Sequence, residues 1–147
     1  MNRTAVLALA AASAVVAAGG VAQANHKKPI EKSYTATAAA PDPTNAGPSA
    51  QYSVCEQTVP GSFHIEEFTA PEPGTIKAVL NGYVGDWDFL VTDNKGRELG
   101  SSGLVAVAGE DETVTYKFKK AGTINLIACN WSGGPTGKVK YKFTYAK

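Results

Sequence analysis

Lys138-Val139-Lys140-Tyr141-Lys142-Phe143-Thr144-Tyr145 alternates polar and apolar residues without a break. Successive side chains of an extended strand point to opposite faces. This stretch therefore turns Val139, Tyr141, Phe143 and Tyr145 toward a core and offers Lys138, Lys140, Lys142 and Thr144 to water. The same period runs upstream. Ile124, Leu126 and Ala128 alternate with Thr123, Asn125, Ile127 and Cys129, and Val114, Tyr116 and Phe118 with Thr113, Thr115, Lys117 and Lys119. Trp87, Phe89 and Val91 alternate with Asp88, Leu90 and Thr92, and Ile76, Ala78 and Leu80 with Lys77, Val79 and Asn81. Phe63 and Ile65, taken as inward, alternate with His64 and Glu66. Leu104 to Ala108 is a short apolar run, and Ser33 to Thr37 has the composition of an edge strand within Lys32 to Ala38. Pro71-Glu72-Pro73-Gly74, Asp93-Asn94-Lys95-Gly96 and Ala121-Gly122 supply the turns. Nothing after residue 24 shows a capped helical period. Strands recurring about every ten residues read as an all-β sandwich or barrel, and the economical arrangement is an antiparallel β-sandwich of about 7–9 strands in two packed sheets.

The ends of the chain have a different texture. Met1-Asn2-Arg3-Thr4 is followed by an apolar run from Ala5 to Ala18, then Gly19-Gly20 and the small-residue site Ala22-Gln23-Ala24. Residues 1–24 are predicted to be a signal peptide, which places the protein outside the cytoplasm, either extracellular or at the cell envelope. Residues 25–50, with Pro41-Asp42-Pro43 and Gly47-Pro48, are predicted to be an arm or linker, and residues 51–147 the sandwich domain. Cys55 and Cys129 are the only cysteines. An even count in an exported chain predicts one disulfide. It would close a loop of about 75 residues and contribute up to about 4 kcal/mol in the chain-entropy view.

Charge is balanced in total and segregated in sequence. Of the 14 basic residues one, Arg3, leaves with the leader, and the remainder offset the 13 acidic ones. That balance disfavours nucleic acid as a partner. Residues 56–112 carry eleven acids against Lys77, Lys95 and Arg97, whereas residues 113–147 carry seven lysines and no acid. The simplest expectation is that acidic and basic segments pair across neighbouring strands.

The order of Gly74-Thr75-Ile76-Lys77-Ala78-Val79-Leu80, Gly85-Asp86-Trp87-Asp88-Phe89-Leu90-Val91, Asp93-Asn94-Lys95-Gly96, Ala121-Gly122-Thr123-Ile124 and Val139-Lys140-Tyr141-Lys142-Phe143 resembles the bacterial pre-peptidase C-terminal domain family. The resemblance spans about residues 60–145. It implies a jelly-roll-like sandwich of the kind found beside secreted proteases and in collagen-binding modules. Phe89-Leu90 stands where the family usually has Leu-Tyr, so the outward aromatic is absent. Related modules hold calcium largely with acids of the N-terminal linker, where this chain offers Glu31 and Asp42.

Several residues are candidates for chemistry. Asp86, Asp88 and Asp93 form the candidate cation site, with calcium as the ion, although calcium takes six to eight oxygens. The competing and preferred expectation gives them structural hydrogen bonds at a strand start and a turn. His64-Ile65-Glu66-Glu67 lacks the further ligands that zinc requires. Gly100-Ser101-Ser102-Gly103 is not a nucleophile elbow, because no buried parallel strand and helix flank it. Trp131, in the Gly/Pro-rich stretch after Cys129, is expected either to pack on the disulfide or to offer a stacking surface to a sugar or peptide. Lys138, Lys140 and Lys142, with Lys117 and Lys119, form a cationic stripe suited to an anionic polymer or to solvent. Together these features predict a secreted, non-catalytic module that recognises an extracellular protein, polysaccharide or cell-wall polymer. The alternatives are an envelope-associated structural protein without a specific ligand and a small secreted hydrolase.

Overall fold

The computed structural model describes residues 27–40, 61–102 and 110–147. Its regular structure is eight strands, with no helix among the described residues. They are β1 (Ile30–Thr37), β2 (Phe63–Ala70), β3 (Gly74–Asn81), β4 (Gly85–Asp93), β5 (Glu98–Ser102), β6 (Glu112–Phe118), β7 (Gly122–Gly133) and β8 (Thr136–Tyr145).

The strands form two antiparallel four-stranded sheets, β1-β8-β3-β6 and β2-β7-β4-β5. β1 lies on β8, β2 on β7, β3 on β6 and β4 on β5. These four nested pairs are one long antiparallel ribbon rolled up so that alternate pairs fall in opposite sheets, which is the jelly roll. β1 is an outer strand of the first sheet, paired along its whole length from Ile30 opposite Phe143 to Thr37 opposite Thr136. The Ser33 to Thr37 segment expected as an edge strand lies within it.

The core lies between the sheets, where the period-two pattern puts it. Ile76, Leu80, Trp87, Phe89, Leu126, Val139 and Phe143 are fully buried. Phe68 meets Phe118, Tyr141 and Phe143 at ring-centroid distances of 5.9, 5.2 and 5.4 Å. Such tilted and edge-on contacts suit the aromatic quadrupole. Trp87 is satisfied as well as buried, because its indole Nε1–H donates to the Gly134 carbonyl at 3.2 Å.

β2 departs from its expected parity. Phe68 and Ala70 are the buried residues, so Phe63 and Ile65 face outward, and Ile65 is 43% exposed. β7 departs from strict alternation: Leu126, Ile127, Ala128, Cys129 and Asn130 are all buried, on both faces. Ile127 and Cys129 form a second, smaller apolar cluster on the outer face with Phe63, Leu90 and Trp131. Trp131 accordingly lies within a strand. The buried Asn130 holds the sandwich at one end. Its Nδ2 donates to the Ala38 carbonyl at 2.8 Å and to Gly134 at 3.0 Å, and its backbone N–H donates to Ser62 at 2.8 Å.

β4 and β7 come very close where one begins and the other ends. Gly85 and Gly133 are paired, with φ of 98° and 104°. A Cβ at Gly133 would lie 2.1 Å from the Val84 carbonyl oxygen, and one at Gly85 would lie 2.0 Å from that of Ser132. Only glycine fits this crossing.

Candidate functional site

The roll sorts charge by sheet. The strands of the first sheet carry six lysines (Lys32, Lys77, Lys117, Lys138, Lys140, Lys142) and two acids, Glu31 and Glu112. Those of the second carry six acids (Glu66, Glu67, Asp86, Asp88, Asp93, Glu98) and neither lysine nor arginine. This corrects the expectation that the acidic middle of the chain pairs with its basic end across neighbouring strands. β8 is flanked by β1 and β3, whereas the acid-rich β2, β4 and β5 belong to the other sheet.

On the outer face of the first sheet, Lys138, Lys140 and Lys142 stand exposed along β8 while Val139, Tyr141 and Phe143 point inward. Residues two apart on a strand are separated by about 7 Å and neighbouring strands by about 5 Å. Lys77 of β3 is directly opposite Lys142, and Glu31 of β1 flanks Lys142 on the other side. Glu31 forms the one cross-strand ion pair of this face among the described residues, Lys142 Nζ to Glu31 Oε1 at 2.8 Å. Lys117 shares the face but sits on β6, beyond β3, where it is opposite Thr75. Lys119 falls outside β6, so it does not continue the row. Ser33, Thr75, Val79 and Thr144 line a broad depression of about 690 Å³ between these lysines. Lys77 is the member that period alone did not assign, because its place beside Lys142 depends on the order of strands.

Lys32 has a different environment, at the rim between β1 and β2. It pairs with Glu66, whose hydrogen bond raises the ammonium pKa above the usual lysine value. Beside it Tyr34 stacks on His64, with ring centroids 5.5 Å apart, and burial together with the charge of Glu66 pushes the Tyr34 hydroxyl pKa up. His64 Nδ1 accepts the Thr37 backbone N–H at 3.4 Å. The histidine thus fastens β1 to β2.

The remaining candidates do not converge. Asp93 organises the β4–β5 turn. Its Oδ1 accepts the N–H groups of Lys95 and Arg97, each at 2.9 Å, and its Oδ2 accepts Arg97 Nε at 3.1 Å. These backbone bonds, with the guanidinium beside them, hold the Asp93 carboxyl below the usual carboxylate range. Asp86 and Asp88 lie toward the far end of β4 from this turn, and no cluster of three or more metal-ligating side chains gathers among the described residues. Ser101 donates to Glu98 at 2.7 Å, and Ser102 donates to the buried Glu112. Their strand β5 and the His64 strand β2 are opposite edges of one sheet, three strand spacings or about 14 Å apart. A serine–histidine pair is therefore not assembled from them. Trp131 is half-buried against Ile127 and Cys129 on the outer face of the second sheet, far from the lysine row. No described cysteine is a free thiol, while Cys55 lies outside the described residues. The predicted signal peptide and the Leu104 to Ala108 run also lie outside them.

No family model matches the chain, and neither does any curated protein. Among solved structures, the pre-peptidase C-terminal domain of a collagenase from Bacillus anthracis is similar, with a TM-score of 0.49 and 8% sequence identity over 78% of this chain and 90% of that one.

Proposed function

We propose that the chain is an exported, non-catalytic recognition module of pre-peptidase C-terminal type, stapled by Cys55–Cys129, which holds an extracellular polymer or protein on the outer face of its first sheet. One observation carries this reading: a chain of nearly balanced charge collects all six of its strand lysines on one sheet and six of its eight strand acids on the other. Charge spread for solubility alone has no reason to separate by sheet. A surface that must meet a ligand of one sign does, because a local field raises both encounter rate and orientation. A broad, shallow, solvated face suits an extended ligand better than a small substrate, which favours an enclosed pocket.

The test is retention of the full chain on purified collagen, neutral polysaccharide and anionic cell-wall polymer, compared with the Trp131→Ala and Lys140→Gln variants. Retention on at least one ligand that weakens with Lys140→Gln and is untouched by Trp131→Ala supports the lysine face. Loss confined to Trp131→Ala moves the site to the second sheet. Retention on none overturns the recognition role and leaves the structural accessory reading.

A further inference from the structure

We infer that the outer face of the first sheet binds a linear polysaccharide bearing carboxylate or sulfate groups, laid along Lys138, Lys140, Lys142, Lys77 and Lys117. The inference rests on the recognition role proposed above and narrows it to a ligand class.

The five ammonium groups form a continuous track. Lys138, Lys140 and Lys142 follow one another along β8 at about 7 Å intervals. The track then steps sideways by one strand, about 5 Å, to Lys77, which is paired with Lys142. From there it moves one strand over and one pair along to Lys117, opposite Thr75, a diagonal of about 8 Å. A glycan that carries its charge on every sugar or every second sugar repeats on this scale. Among the described residues Lys77, Lys117, Lys138 and Lys140 have no acidic partner, so their charge is available to an incoming anion. Glu31 neutralises only Lys142.

The rest of the face favours a sugar polymer over other polyanions. Between the lysines the outward residues are mostly hydroxyls: Ser33 and Thr35 on β1, Thr75 on β3, Thr113 and Thr115 on β6. Hydroxyl groups both donate and accept, which matches the hydroxylated ring of a glycan. The face has no arginine, the residue whose planar fork grips phosphate in two places. Its aromatic residues point the other way, Tyr141 and Phe143 being buried, so it lacks the platform on which single-stranded bases stack. The acidic second sheet repels the same polymer, leaving one side of the sandwich competent.

The experiment measures affinity of the full chain for polygalacturonate and heparin, with dextran, double-stranded DNA and collagen as comparators, over a series of salt concentrations. Two triple variants carry the same change in charge. Lys138→Gln/Lys140→Gln/Lys142→Gln lies on the track, and Lys95→Gln/Lys119→Gln/Lys120→Gln lies off it. Melting curves establish that both fold. The expected result is binding to the anionic glycans and not to dextran, falling steadily as salt rises, weakened about tenfold or more by the first triple and less than about twofold by the second. Equal loss in both triples, salt-independent binding, or DNA bound as tightly as the glycans overturns the inference. Should the chain hold collagen or dextran but neither anionic glycan, unaffected by the first triple, the anionic-polysaccharide assignment and the lysine face fail together, while a recognition role on another surface stands. Should it hold none of the five probes, both fail.

Discussion

β7 and β8 follow one another in sequence, lie in opposite sheets and present opposite lessons about the same pattern. β8 alternates buried and exposed residues through most of its length, and every lysine it carries reaches water. β7 begins in the same way but is buried on both faces from Leu126 to Asn130. A strand covered on one side has polar outward residues, whereas one covered on both reads as a continuous apolar run. Ile127 and Cys129, outward by parity yet fully buried, mark the outer face of the second sheet as packed where the outer face of the first is open. A surface free to take a ligand must be open, and β8 offers such a face where the middle of β7 does not.

The sharpest way to break that contrast is to truncate an outward residue on each strand. Ile127→Ala is expected to cost about 2–4 kcal/mol, comparable to Leu126→Ala on the inward face, because both remove a fully buried side chain. Lys140→Ala is expected to change stability by no more than about 0.5 kcal/mol. Urea unfolding of the three variants measures both. If Ile127→Ala behaves like Lys140→Ala, the second sheet is as open as the first and the comparison collapses.

A smaller effect is expected where β7 leaves the sheet. Gly133→Ala asks a side chain to occupy a φ of 104° and to stand 2.1 Å from the Val84 carbonyl oxygen. The backbone must shift, at a cost of about 1–3 kcal/mol by the scale of a strained conformation. Because Trp131 precedes this glycine by two residues, its fluorescence should change with the substitution. Unchanged melting and fluorescence would show that β4 and β7 separate here at little cost, and that the ends of β7 are looser than its middle.

The sequence disclosed the fold through its period and withheld what depends on strand order. Val139, Tyr141 and Phe143 were assigned inward from alternation alone, as were Trp87 and Phe89, because period-two burial is a local property of each strand. Phe63 and Ile65 were misassigned for the complementary reason. In β2 both alternating sets contain apolar residues, and the set that faces the core is chosen by Phe68 and Ala70, further along. The pairing of acidic and basic segments also failed, since adjacency in a rolled ribbon joins β8 to β1 and β3 and not to the acid-rich strands between. In the candidate site, Lys138, Lys140 and Lys142 were legible as a row within one strand. Lys77 entered only when β3 was found beside β8.

Asp93 tests the same contrast in electrostatic terms. It is an acid of the second sheet whose charge is used inside the fold, by two backbone N–H groups and Arg97, whereas Lys138 and Lys140 of the first have no acidic partner among the described residues. The interactions that favour its ionised form lower its pKa in the folded chain below the unfolded value. Stability contributed by such a group is fully present above the unfolded pKa of about 3.9 and is lost as pH falls through the lower, folded pKa. Asp93→Ala should therefore lower the melting temperature at pH 7, and the gap from the parent should narrow steadily below about pH 4 as the parent carboxylate takes up its proton. The Lys140→Ala variant should track the parent across this range, because neither hydrogen bonds nor ion pairs tie its charge to the described fold. A melting gap for Asp93→Ala that persists undiminished at pH 2 would assign the loss to altered turn geometry, and the distinction between charge held within the fold and charge offered outward would then no longer rest on this aspartate.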